Sequence, residues 1–192
     1  MVRLRFAGGF TLIEVLVAVL VLAVGILGAA ATQLAALRTR HQSGLMSTGV
    51  QLAGALADNM RANLAPMRAA DDANPYLQLR YDAATDGAPQ PAPALCLPGA
   101  GCSGAQLAAA ELYQLKYALH AGFPGGRVAV CRDSQAWDAA RGALRWDCGG
   151  GSAAPIVIKL GWRGKDTNGA EARDGAGEFA PSVAIALPGA AP

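Results

Sequence analysis

Histidine, charge and early proline are all in short supply in this 192-residue chain. Only His41 and His120 occur, and neither sits in a visible nucleophile–base pair or metal-ligating cluster, so no residue set points to catalysis. Charged residues make up 16% and the net charge is +2, an excess that the N-terminal Arg3 and Arg5 match. Without those two the side-chain charges balance, which leaves no electrostatic footprint for nucleic acid. No proline precedes Pro66, so no helix breaker interrupts the first third of the chain. Hydrophobic residues reach 53%, but alanine and glycine inflate the figure, and the implied soluble core is thin.

What is present begins with a run. From Val15 to Ala31 there is no charged or polar side chain. About 20 helical residues at ~1.5 Å each cover the ~30 Å of a bilayer core. Arg3 and Arg5 favour a cytoplasmic N-terminus, although Arg38, Arg40 and His41 beyond the run weaken that bias. One carboxylate, Glu14, stands just inside the N-terminal end of the span. An ionisable group there is costly unless paired, so its default reading is functional. Two plainer readings stand beside it. A secretory signal peptide would be cut after the run, where Ala29-Ala30-Ala31 imitates a cleavage site. An ordinary single-pass anchor would have no need of Glu14.

The stretch Gly9-Phe10-Thr11-Leu12-Ile13-Glu14 resembles the cleavage and methylation signal of type IV prepilins and their secretion-system relatives. The resemblance implies that a membrane prepilin peptidase cuts between Gly9 and Phe10 and methylates Phe10. Glu14 is then the fifth residue of the mature chain. An ammonium at Phe10 and a carboxylate at Glu14, both in apolar surroundings, each require an opposite charge. In a filament the glutamate of one subunit would be met by the amine of its neighbour, which sets axial register.

Helical patterning continues past the span. Leu34, Leu37, His41, Leu45, Thr48, Leu52, Leu56 and Met60 recur at intervals of three and four, opposite Arg38, Arg40, Gln42, Asp58 and Arg61. This predicts one helix from about Thr11 to Asn63, apolar all round in its first half and amphipathic in its second. Gly25 and Gly28 within the span would allow close helix approach in lipid. Residues 64–102 read as a long loop, with turn signals at Asn74-Pro75 and Asp86-Gly87 and an extended Gln90-Pro91-Ala92-Pro93. Ser103 and Gln106 form a capping box for a second helix running to about Ala121, ended by Gly122 and Pro124. Strands are expected at Arg127–Arg132, with Leu144–Cys148 as its partner, at Ile156–Trp162 and at Ser182–Leu187.

Cys96, Cys102, Cys131 and Cys148 all follow the span, and an even count in an exported segment reads as two disulfides. Of three possible pairings, Cys96–Cys102 and Cys131–Cys148 are favoured because each brackets a short loop. A Cys131–Cys148 bond would fix the register of the expected hairpin. Zinc is disfavoured, since no Cys-x-x-Cys spacing occurs and no histidine lies close in sequence.

The expected fold is α+β: a long N-terminal helix, transmembrane in its first half, on a small antiparallel sheet of about four strands with one extra short helix. That order resembles the type IV pilin fold. A narrower resemblance, to the PilV-like minor pilins (type IV pilus modification proteins), rests on Asp58-Asn59-Met60-Arg61-Ala62-Asn63, the cysteine pair before the second helix, Pro124-Gly125-Gly126-Arg127, Val130-Cys131-Arg132-Asp133, and Ile156-Val157-Ile158-Lys159 before Trp162. The implied organisation is a leader at 1–9, a transmembrane helix half at 10–36, an amphipathic half at 37–63 and an extracytoplasmic disulfide-containing domain at 64–192. The implied role is a minor pilin precursor, held in the inner membrane and then placed in the pilus, where it primes assembly or sits at the tip. Its implied partners are the prepilin peptidase, other minor pilins, the major pilin, the inner-membrane assembly platform and the lipid bilayer. Rival readings are a minor pseudopilin of a type II secretion system and a tip adhesin or DNA-uptake receptor.

Other motifs carry less. Gly99-Ala100-Gly101-Cys102-Ser103-Gly104 spells a dinucleotide fingerprint but lacks a preceding strand, so no cofactor is expected. Asp166-Thr167-Asn168-Gly169 starts like a calcium loop, yet Glu171 and Gly177 stand where glycine and glutamate are required. A polar turn is the simpler reading, with a cation loop of another shape as its rival. Trp137, Trp146 and Trp162 suit core or cross-strand packing better than an exposed binding face. His120 suits the C-terminal end of the second helix.

Overall fold

A computed structural model describes residues 9–91, 96, 101–164, 171, 173 and 177–187. The leader arginines, residues 92–93, residues 99–100 of the glycine motif and the turn at 166–169 lie outside the described residues. The chain divides into two compact units, Met1–Ser43 and Gly44–Pro192, and helix α1 (Leu12–Ala62) contributes to both. In the first unit every described residue from Gly9 to His41 is exposed within the chain. α1 is long and apolar enough to cross a membrane, with a mean hydropathy of 2.8 over its most apolar window. A helix apolar on all sides finds its burial in lipid or among other helices.

In the second unit α1 buries Gly49, Ala53, Leu56, Ala57 and Met60. Leu45 and Leu52 pack at the margin, while His41 and Thr48 face outward. The buried stripe is thus largely made of small residues, which brings the helix close to the sheet beneath. Gly49 shows how close: a Cβ there would lie 2.8 Å from the Trp162 ring. A short α2 (Leu64–Met67) follows, then β1 (Arg80–Asp82) and α3 (Gly104–Gly122). The α3 capping box is complete. Ser103 Oγ accepts from Gln106 N–H, and the Gln106 side chain accepts from Ser103 N–H at 2.9 Å.

The sheet has the order β1-β2-β5-β6, with β2 at Arg127–Arg132, β5 at Ile156–Gly161 and β6 at Val183–Leu187, all antiparallel. Leu144–Cys148, the expected partner of β2, lies outside this sheet. β2 pairs with β1 and β5, not with 144–148, and β3 (Trp137–Asp138) and β4 (Ala143–Leu144) form a separate two-stranded hairpin. β1 escaped notice because it is three residues long with Tyr81 as its single apolar side chain. It is recruited by backbone pairing along β2, and no periodicity marks it. The count of four strands survives with one member exchanged.

Alternation divides the sheet cleanly. Val128 and Val130 of β2, Ile156, Ile158 and Leu160 of β5, and Val183 and Leu187 of β6 join Met60, Leu56, Leu112, Leu115 and Leu119 in one core. The opposite positions, Ala129, Cys131, Val157 and Lys159, are also buried. Their cover includes residues of the 133–155 excursion that carries the hairpin. Trp146 lies against Gly161, where a Cβ would come within 3.0 Å of its ring. The far face is therefore covered over the central strands, while Arg80 of β1 and Ala186 of β6 stay exposed at its edges.

Candidate processing and assembly site

The N-terminal site is built by a helix start. Thr11 precedes the first helical residue, and its Oγ1 accepts from Glu14 N–H at 3.3 Å while its carbonyl accepts from Glu14 and Val15 N–H. Thr11 thus acts as the N-cap, a role that the Thr-x-x-Glu spacing advertises. Glu14 falls in the first helical turn, where the helix dipole favours a carboxylate. Among the described residues nothing is bonded to its carboxylate. The local fold therefore presents a negative charge near the start of an apolar helix, unanswered among the described residues.

Gly9 and Phe10 are both exposed, and a Cβ added at Gly9 would meet nothing within 4 Å. This chain's own packing therefore places no demand for glycine at position 9. Any such demand must come from whatever binds the Gly9–Phe10 peptide. Gly25 and Gly28 are equally free of neighbours.

The second unit is held by three polar devices. At the join of α1 and α3, buried Asn63 donates to Tyr76 Oη at 3.0 Å and to the Gly104 carbonyl at 2.7 Å, and Tyr76 Oη donates to Glu111 at 2.6 Å. Burial and the neighbouring carboxylate push the Tyr76 phenol well above its ordinary range. On the far face of the sheet, Lys159 Nζ lies 2.6 Å from Asp133 Oδ2, both side chains fully buried. Lys159 also donates to the Asp147 carbonyl at 2.5 Å, and Asp133 Oδ1 accepts from Gln135 and Gly149 N–H. Burial works to raise the Asp133 pKa, but Lys159 and those N–H groups outweigh it and hold the carboxyl below its usual value. Third, Arg132 grips Asp71 through two hydrogen bonds of 2.6 and 2.9 Å, which hold Asp71 lowered as well. Arg132, Asp133 and Lys159 stand in the short motifs quoted above, but nothing in the sequence shows that they pair. Lys159 looks like any strand lysine until the excursion covers it.

Disulfides join Cys96 to Cys102 and Cys131 to Cys148. The second ties the 133–155 excursion to β2 and sets no register there. Trp146 and Trp162 are buried, whereas Trp137 is 51% exposed and sits across from Leu144 in the hairpin. His120 is in the last turn of α3, and its Nδ1 is 2.9 Å from Tyr81 Oη. Tyr81 spends its proton on the Gly87 carbonyl at 2.7 Å, so His120 Nδ1 carries the hydrogen of that contact. Among the described residues no group of three or more metal-ligating side chains assembles.

The fold, a long N-terminal apolar helix on a four-stranded antiparallel sheet with a short extra helix, matches that of the pilins. The family model described as the prokaryotic N-terminal methylation motif matches residues 4–30. No curated protein and no solved structure matches the chain. The motif supports a type IV pilin-like protein, a kind of protein that is structural rather than catalytic. Its single apolar N-terminal helix is consistent with a membrane-anchored pilin.

Proposed function

We propose that the chain is a minor pilin precursor that primes type IV pilus assembly or is incorporated at the pilus tip. The observation that carries this reading is the N-terminal site: an accessible Gly9–Phe10 bond, with Phe10 four residues before a Glu14 carboxylate to which nothing is bonded among the described residues. Cleavage creates an ammonium at Phe10. In an assembled bundle, the Glu14 of one subunit answers the Phe10 amine of the next, and the apolar faces of 12–43 supply the burial that the isolated chain lacks. Gly25 and Gly28 let a neighbouring helix approach there. Before assembly, residues 10–36 span the inner membrane and the domain from residue 64 stands in the periplasm. The prepilin peptidase, other minor pilins, the major pilin and the assembly platform are the partners of that cycle. Residues 1–9 are the leader removed in it.

Deleting the gene and assaying surface pili together with protein secretion tests the proposal. Lost pili with normal secretion is the expected result. Blocked secretion with normal pili would move the protein to a type II secretion machine, whose pseudopilins use the same N-terminal logic. Intact pili and intact secretion would refute an assembly role.

A further inference from the structure

We propose that Cys148 is a thiol-exchange site of the folded protein, at which small external thiols open and reclose the Cys131–Cys148 bond without unfolding the domain. The two sulfurs are unequal. Cys131 lies on the covered face of β2 and is 6% exposed, whereas Cys148 is exposed within the excursion. The bond borders an open cavity of about 390 Å³ between Asp71, Gln78 and Arg132 on one side and Gly149 to Ser152 on the other. That second wall is mostly glycine, so few side chains stand between solvent and the Cys148 sulfur.

Exchange in the folded state also requires that the ends stay together when the bond opens, and separate tethers ensure it. Ser134 N–H donates to the Gly149 carbonyl at 2.7 Å, and Gly149 N–H donates to Asp133 Oδ1 at 3.3 Å. Asp133 is clamped by Lys159, and Arg132 Nη1 donates to the Ala154 carbonyl at 3.0 Å. These contacts bracket both cysteines within one residue of Cys148 and of Cys131. The reduced form is provided for as well. Cys148 Sγ lies 3.4 Å from the Trp146 carbonyl, an acceptor ready for a thiol hydrogen.

The chemistry is ordinary exchange. A thiolate attacks Cys148 Sγ, the S–S bond breaks, and Cys131 leaves as a thiolate that takes a proton from water. A second external thiolate then attacks the sulfur of the first in the mixed disulfide. The external pair leaves oxidised as a disulfide, and Cys148 takes up a proton as a thiol. Two thiols are oxidised and one protein disulfide is reduced. Reoxidation runs the same steps backwards.

The test uses the full chain in detergent micelles, treated with glutathione without denaturant, quenched by alkylation and mapped by mass spectrometry. The expected result is a glutathione adduct on Cys148, loss of the 131–148 bond and unchanged tryptophan emission. In single variants, Cys148 of C131S should alkylate at least ~10-fold faster than Cys131 of C148S, since access governs thiol reactivity. Should either variant misfold, the adduct map of the unaltered chain decides alone. An adduct on Cys131, reduction that begins only in denaturant, or a red-shifted emission on reduction would each overturn the proposal.

Discussion

Removing the Lys159 ammonium alone should cost more than removing the whole ion pair. Lys159→Met keeps most of the side-chain volume and deletes the closer charge, leaving Asp133 fully buried with Arg145, 3.8 Å from its Oδ1, as the remaining cation. Breaking a buried pair from one side costs about 3–5 kcal/mol. At roughly 2–4 °C per kcal/mol for a domain of this size, the midpoint of thermal unfolding should fall by about 6–20 °C. The double variant Asp133→Asn/Lys159→Met removes the buried carboxylate charge as well, and asparagine can still accept from Gln135 and Gly149 N–H. It should recover about half of the loss. The carbonyls of Asp147 and Trp146 lose their lysine donor in both variants, which prevents full recovery. Urea and thermal melts of the full chain in detergent, followed by tryptophan emission, give both numbers and their coupling. If Lys159→Met costs under about 1 kcal/mol, or if the double variant is no better than the single one, the buried pair is not the clamp described above.

Glu14→Ala should leave cleavage largely intact and impair incorporation into pili, and normal incorporation would sink the charge-pairing account. Gly9→Leu should block processing, seen as a retained leader in the mass of the chain, without altering stability, because position 9 touches nothing. Acid should destabilise the second unit. Asp133 and Asp71 are both held below their ordinary value of 3.8, so their contribution is complete above the unfolded carboxylate range and is lost as the pH falls below about 4 through the folded values. Asp71 is partly exposed and contributes the smaller share. A pH series of urea melts showing no decline between pH 5 and pH 3, or an unchanged decline in Asp133→Asn, would contradict that assignment.

Much of this protein was legible before any tertiary contact was considered. The apolar run and Glu14, the unbroken helix, the capping box at Ser103 and the strands β2, β5 and β6 are local features. They rest on side-chain periodicity, hydrogen bonds within four residues and the absence of proline, all of which sequence states directly. Tertiary structure alone decided the rest. Arg80–Asp82 became a strand because β2 offered it a free edge. Residues 143–148 turned away from β2 to serve as cover and hairpin. The small residues Gly49, Ala53 and Ala57 were passed over in favour of the leucines, although close approach to Trp162 makes them the contact. Lys159 became a buried clamp only once the 133–155 excursion closed over it. Local propensity acts on neighbours in the chain, whereas partner choice, burial of charge and access to a sulfur depend on what folding brings from far along it.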